Sequence, residues 1–253
     1  MPRYFLQLCY NGTIFNGWQI QANTKNTIQH ILQEKLSLIF SENISIVGCG
    51  RTDAGVSAKD YYSHFDCLLT DLHLPNANYI YKLNKILPKE IAIKNIYRVI
   101  ENANARFDAT FRTYEYYVHT YKNPFLFQSS LFVYGQLNFE LMNHAAEYLL
   151  SVEDFTSFSK ANKQSKTNYC KVTFAKWIEI KNQEYVFKIT SNRFLRNMVR
   201  ALVGTLLEVG KGKISIQEFK KIIANQNRSE AGMSVNPEAL FLTDISYPKT
   251  IFC

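Results

Sequence analysis

The stretch Gly48-Cys49-Gly50-Arg51-Thr52-Asp53-Ala54-Gly55 decides how the rest of the chain is read. At first sight it looks like a nucleotide-binding loop. Asp53 sits where G-x-G-x-x-G needs its third glycine, and no G-K-[ST] follows, so that reading fails. What remains is a strand ending in a glycine-flanked loop that presents one arginine and one carboxylate. The glycines allow tight turns and close approach of a ligand. If Arg51 to Asp53 is extended, those two side chains point the same way. A cation there would hold the carboxylate ionised at neutral pH. An ionised carboxylate can act as nucleophile or electrostatic stabiliser at a sugar or a base. Thr52-Asp53-Ala54-Gly55 is also good turn chemistry, and the octapeptide alone leaves both readings open.

Outward from this loop, strand and helix signals mix. Arg3 to Tyr10 alternates as a strand and is broken by Asn11-Gly12-Thr13. Ile28, Ile31, Leu32, Leu36, Ile39 and Phe40 recur at helical spacing, with Asn26 and Gln29 expected as a capping box. Ile44–Val47 and Tyr61–Cys67 are expected as strands. Pro75 is expected to open a second helix that Pro88 closes, and Ile91–Ile100 is strand again. The polar segment Glu101–Ala105 marks the expected boundary between halves 1–104 and 105–253.

In the second half, Arg112–Thr120 is a tyrosine-dense strand and Asn138–Leu150 a helix. Cys170, Val172, Phe174, Ile178 and Ile180 keep period two, as do Tyr185, Phe187 and Ile189. Asn182-Gln183 lies between them, so a hairpin is expected. Phe194–Val209 reads as the strongest helix, and a short one starts at Ser215 with Glu218 completing a capping box. A last strand spans Leu240–Tyr247. Strands with about two helices per half predict an α+β fold of two related halves around one cleft.

Composition narrows the function classes. Hydrophobic residues make up 47% of the 253, which is globular rather than disordered. No apolar run reaches the roughly 18 residues of a membrane span, so a soluble intracellular protein is expected. Five scattered cysteines without a C-x-x-C pair suggest neither a zinc site nor a disulfide framework. The net charge of +8 favours anionic partners, nucleic acid above all. The 16 Tyr and 18 Phe would serve unstacked bases as well as a core.

Two further groups are candidates for chemistry. On the helix expected from Phe194, Arg193, Arg196 and Arg200 follow three- and four-residue spacings opposite an apolar stripe. That face is either solvated or suited to phosphate. In Arg112-Thr113-Tyr114-Glu115-Tyr116-Tyr117, Tyr114 and Tyr116 share a strand face and Tyr117 takes the other. Packing accounts for two of the three tyrosines, and a tyrosine under a flipped base would account for one. Lys160, Lys163, Lys166 and Lys171 lie in a polar stretch, Ser159–Lys171, that is either a solvated loop or a phosphate contact.

Taken together, these segments resemble the tRNA pseudouridine synthase A family. Gly50-Arg51-Thr52-Asp53-Ala54-Gly55-Val56 looks like its G-R-T-D-[AT]-G-V signature. Tyr10-Asn11-Gly12 through Gly17-Trp18-Gln19, Leu83-Asn84 with Leu87-Pro88, Ala105–Thr110 with Arg112-Thr113-Tyr114, and Asn123-Pro124-Phe125 match in order. Phe194–Arg200, continuing through Gly204–Gly210, resembles its second hallmark. Ser57 stands where the family has histidine, and Ala239 where it has glycine.

The resemblance implies a pseudouridine synthase fold with mixed, mainly antiparallel sheets flanked by helices around a central basic cleft. It implies a cytoplasmic homodimer that isomerises uridine to pseudouridine on the 3′ side of the tRNA anticodon stem-loop. Asp53, Tyr114 and Arg200 would be catalytic, with Arg51, Tyr114, Arg196, Val56 and Leu195 binding substrate. Arg200 would pair with Asp53. The reaction gains and loses no atom, so no cofactor and no metal is expected.

Overall fold

A computed structural model describes residues 1–70, 72, 78–160 and 167–253. Pro75, Lys163 and Lys166, which carry expectations above, lie outside the described residues. The chain divides into two compact units, one of Met1–Thr110 with Leu242–Cys253 and one of Phe111–Phe241.

The first unit holds strand β1 (Arg3–Tyr10), helix α1 (Ile28–Phe40), strands β2 (Val47–Gly48) and β3 (Ser57–Asp66), helix α2 (Tyr79–Ile86) and strand β4 (Ile91–Val99). β1 runs antiparallel to β4 on one side and β3 on the other. That central place explains why Tyr4, Phe5 and Leu6 are buried in succession rather than alternately. On α1, Ile28, Leu32, Leu36 and Phe40 recur every four residues and make the buried stripe.

Two local expectations change here. The helix cap is Thr27, whose side chain accepts from His30 N, rather than Asn26. Asn26 instead donates to the Ile14 carbonyl at 2.6 Å. Ile44 and Ile46 are buried but lie outside the two-residue β2. Their backbone N–H groups bond Ser37 Oγ and Gln33 Oε1 of α1, so these donors go to a helix and not to a strand ladder.

The second unit holds β5 (Phe111–His119), β6 (Leu131–Phe132), α3 (Phe139–Tyr148), β7 (Val172–Lys181), β8 (Glu184–Ser191), α4 (Met198–Gly210) and α5 (Ile216–Ala224). β8 lies between β5 and β7, antiparallel to both, and β6 pairs in parallel with β5. The β7–β8 hairpin turns at Asn182-Gln183, with Gln183 at φ 63°. Trp177 faces Phe187 across it, their rings 5.1 Å apart. Ser215 and Glu218 form the expected capping box at α5. A last strand, β9 (Leu240–Ser246), begins in the second unit, and from Leu242 on it belongs to the first, beside β3.

The largest correction concerns α4. It begins at Met198, four residues later than the periodicity suggests, because Asn197 takes a left-handed backbone (φ 67°) that a right-handed helix does not accept. Leu195 is buried all the same, from the preceding loop. Arg193 and Arg196 therefore do not share a helix face with Arg200. Among the described residues the five α-helices flank mainly antiparallel strands, which is the expected α+β class. No helix among them is long and apolar enough to cross a membrane.

Candidate active site

In the first unit the loop from β2 to β3 carries Arg51 and Asp53, and the segment Tyr10–Gln19 braces it from outside. Gly48 packs under stacked Trp18 and Tyr61, whose ring centroids are 4.1 Å apart. A Cβ at Gly48 would come within 2.2 Å of the Tyr61 hydroxyl and 2.6 Å of Trp18. The Tyr61 hydroxyl donates to the Gly50 carbonyl. Thr52 is buried, its hydroxyl 2.8 Å from that of Tyr10 and its carbonyl accepting from Trp18 N.

Beyond it, Val56 N bonds the Asp53 carbonyl across a turn whose third residue, Gly55, sits at φ 81°. Turn chemistry and candidate site are therefore the same residues. Gly55 N in turn donates to Phe15 O. Ser57 Oγ accepts from Gly12 N at 2.9 Å, so the serine that departs from the family pattern ties the end of this loop to the N-terminal segment.

Along Arg51-Thr52-Asp53 the exposure runs exposed, buried, half-buried. Buried Thr52 anchors the loop, while its two charged neighbours keep access to solvent. Arg51 Nε donates to Gln19 Oε1 at 3.0 Å. Val56 is 2% exposed and can serve as an apolar wall only through its inner surface. A depression of about 180 Å³ beside the loop is lined by Trp18, Gln19, Gln29, Gly48, Arg51 and Arg106.

In the second unit Tyr114 lies half-buried on β5, and the Phe194 ring meets it edge-on at 5.0 Å. Tyr116 is fully buried and donates to Asn236 O, and burial pushes its hydroxyl far above the ordinary phenol range despite the pull of nearby Arg200. Tyr117 donates to Glu115 Oε2 at 2.6 Å. Tyr116 is thus held by packing and by its bond to Asn236, and Tyr117 by its bond to Glu115.

Arg200 sits half-buried in the first turn of α4. Its Nε donates to the Val235 carbonyl at 2.8 Å, while Val235 N donates back to the Arg200 carbonyl. Arg196 is exposed, and its carbonyl accepts from Lys160 N. Leu195 is 7% exposed. Ala239, at the other departure from the pattern, is buried, and its carbonyl accepts from Tyr117 N. Among the described residues no cluster of three His, Cys, Asp or Glu could hold a metal ion.

The first unit therefore brings Arg51, Asp53 and Val56 together on one loop. The second holds Tyr114, Leu195, Arg196 and Arg200 on a strand, a loop and a helix start. Gln19, Phe194 and Val235, which hold three of these groups, carry no signal of that role in the sequence, since each contact is made only on folding.

A carboxylate and an arginine on a braced loop, with exposed arginine and half-buried tyrosine elsewhere in a basic chain, fit an enzyme acting on nucleic acid. The family model described as tRNA pseudouridine synthase matches residues 145–248. A protein of Bacteroides thetaiotaomicron named tRNA pseudouridine synthase A is 46% identical over 254 residues, covering 100% of this chain and 93% of its own. Proteins of the same name from Bacteroides fragilis and Porphyromonas gingivalis are 47% and 46% identical, each covering 100% of this chain and 99% and 100% of their own. The chain belongs to the tRNA pseudouridine synthase A family.

Proposed function

We propose that this chain isomerises uridine to pseudouridine in tRNA, at uridines on the 3′ side of the anticodon stem-loop, with Asp53 as the catalytic carboxylate. The observation that carries the reading is full-length identity of 46–47% to proteins named for that activity. The bracing of Asp53 on its loop supports it, because a catalytic group must be held in place before substrate arrives.

In this reaction the C1′–N1 bond breaks and a C1′–C5 bond forms, C5 loses a proton and N1 gains one. The atoms balance without a co-reactant. The target uridine leaves its stack to expose C1′ and the ring. Asp53 then acts by one of two routes, at C1′ or on the ring. We assign Arg51 to gripping the RNA where the uridine has left. Tyr114 would stack on the extruded base or accept the C5 proton, and Arg200 belongs to the same catalytic group.

Arg196 would contact phosphate, with Val56 and Leu195 as apolar walls. Val56 and Leu195 are buried, so each would meet the base through only a small part of its surface. The same reading has the chain working as a homodimer in the cytoplasm, a part that rests on the family resemblance.

Pseudouridine mapping of tRNA from cells with and without the protein tests the reading. Anticodon stem-loop uridines should lose their modification without it, regain it with the wild-type chain, and stay unmodified with Asp53→Asn. Unchanged tRNA would refute the activity. Full restoration by Asp53→Asn would refute the role of that carboxylate.

A further inference from the structure

Arg51 stands at the end of a chain of amide contacts that fixes its direction. Gln29, in the first turn of α1, has its side chain held from several sides. Its Oε1 accepts from Ile20 N at 3.1 Å and from Gln19 Nε2 at 2.8 Å, and its Nε2 donates to the Ile46 carbonyl at 2.9 Å. An amide has one donor end and one acceptor end. Turned over, Gln29 would set its NH₂ against the Ile20 N–H and its oxygen against the Ile46 carbonyl. Only one orientation is therefore compatible with the backbone around it.

That orientation dictates the next. Gln19 must present its NH₂ to Gln29, which leaves its oxygen for a donor on the other side. The donor there is Arg51 Nε, at 3.0 Å. Nε is the guanidinium nitrogen nearest the side-chain stem. A bond at Nε fixes the plane of the group without consuming the two terminal nitrogens that bidentate phosphate contacts use.

We propose that Gln19, oriented by Gln29, is a positioning residue that aims Arg51 at the RNA. The inference rests on the role given to Arg51 above. An unanchored arginine carries about 2 kcal/mol of rotamer entropy. Part of that is lost during folding when Nε is held, so less is lost when the RNA engages.

The test is a double-mutant cycle in the full-length protein, read as single-turnover rate at saturating tRNA. Gln19→Met, close in size but unable to accept from Nε, should slow the reaction roughly tenfold, the scale of about 1.4 kcal/mol of lost preorganisation. Affinity for tRNA should change by less than about threefold, because Arg51 engages only where the uridine has left its stack, a step after the initial phosphate contacts are made. In the Arg51→Ala background the same change should have almost no further effect, since Gln19 acts through Arg51. Gln29→Met should slow the reaction in the same direction and should not add to Gln19→Met.

A second readout does not depend on activity: the Arg51 Nε–H resonance, protected in the wild type, should lose protection in either glutamine variant. Additive losses of rate in the double mutant, or unchanged Nε–H protection, would overturn the proposal while leaving the role of Arg51 intact. Wild-type rate in Arg51→Ala would overturn that role and the proposal with it.

Discussion

The Asp53 loop and the start of α4 hold their charged groups in different ways. In the first unit the loop has little regular structure of its own, and its path is set by the segment Tyr10–Gln19 pressing against it. Ser57 Oγ accepts from Gly12 N, the Phe15 carbonyl accepts from Gly55 N, and Trp18 N donates to the Thr52 carbonyl. In the second unit Arg200 rides on a helix whose own hydrogen bonds fix it, and the loop segment at Val235 adds a reciprocal pair of contacts. Both are crossed at close range by another piece of backbone, at Gly12 and at Gly204. The difference is what each crossing disturbs. At Gly12 it is the loop holding the carboxylate, whereas at Gly204 it is the middle of a helix that has other support.

The pair Gly12→Ala and Gly204→Ala separates these cases and carries the largest expected effect. A Cβ at Gly12 would lie 1.9 Å from the Val56 carbonyl oxygen, and one at Gly204 would lie 1.9 Å from the Met233 carbonyl oxygen. Neither obstacle is a flexible side chain, so backbone must move in both. Gly12→Ala should cost about 3 kcal/mol or more in urea unfolding and, by shifting Val56 and Asp53, remove nearly all isomerase activity. Gly204→Ala recovers about 1 kcal/mol of helix propensity, so its net cost should be smaller. Its folded fraction should keep measurable activity. Equal loss of specific activity per folded molecule in the two variants would break the comparison.

The sequence made the Asp53 loop legible because its glycines and turn residues are local signals. The β7–β8 hairpin and the α5 capping box were legible for the same reason, since period two and the Ser215/Glu218 spacing lie within a few residues. Local pattern misled at α4. Phe194 and Leu195 extend the apolar rhythm, but Asn197 turns left-handed and separates them from the helix. The hold of Gln19 on Arg51 joins positions 32 apart, and the return of Leu242–Cys253 to the first unit joins positions more distant still. Such pairings depend on tertiary closure, which no local spacing records.

Acid offers a second comparison between the units, of intermediate size. Each carries a buried imidazole that burial holds in the neutral form. His64 on β3 is pushed down to about 4 from an ordinary 6.5, by burial first and then by Arg3, and its Nδ1 accepts from Ala105 N. His119 on β5 is also lowered by burial, and its Nδ1 pairs with Ser130 Oγ at 2.8 Å. A folded pKa below the unfolded one means that the unfolded chain takes the proton first.

The stability linked to His64 is therefore complete above about pH 6.5 and lost as pH falls toward 4. The loss should be about 2–3 kcal/mol over that range. Imidazole ¹⁵N titration should find His64 and His119 both protonating below the ordinary imidazole range, with His64 still neutral at about pH 5. Titration of His64 near 6.5 would show that β3 does not seal it.

The smallest effect is expected inside the loop itself, at Gly50. No atom lies within 4 Å of a Cβ built there, and its φ is outside the left-handed region. Its carbonyl accepts from the Tyr61 hydroxyl, a bond that alanine keeps. Alanine also narrows the unfolded ensemble slightly, which favours folding by a few tenths of a kcal/mol. Gly50→Ala should therefore change stability by less than about 0.5 kcal/mol, with the sign toward stabilisation. If the bracing of the loop is confined to Gly12 and Gly48, then Gly50 is a glycine that folding does not require. A cost above about 1 kcal/mol in urea unfolding would mean that the loop is held from this side as well, and that its path depends on more than the Tyr10–Gln19 segment.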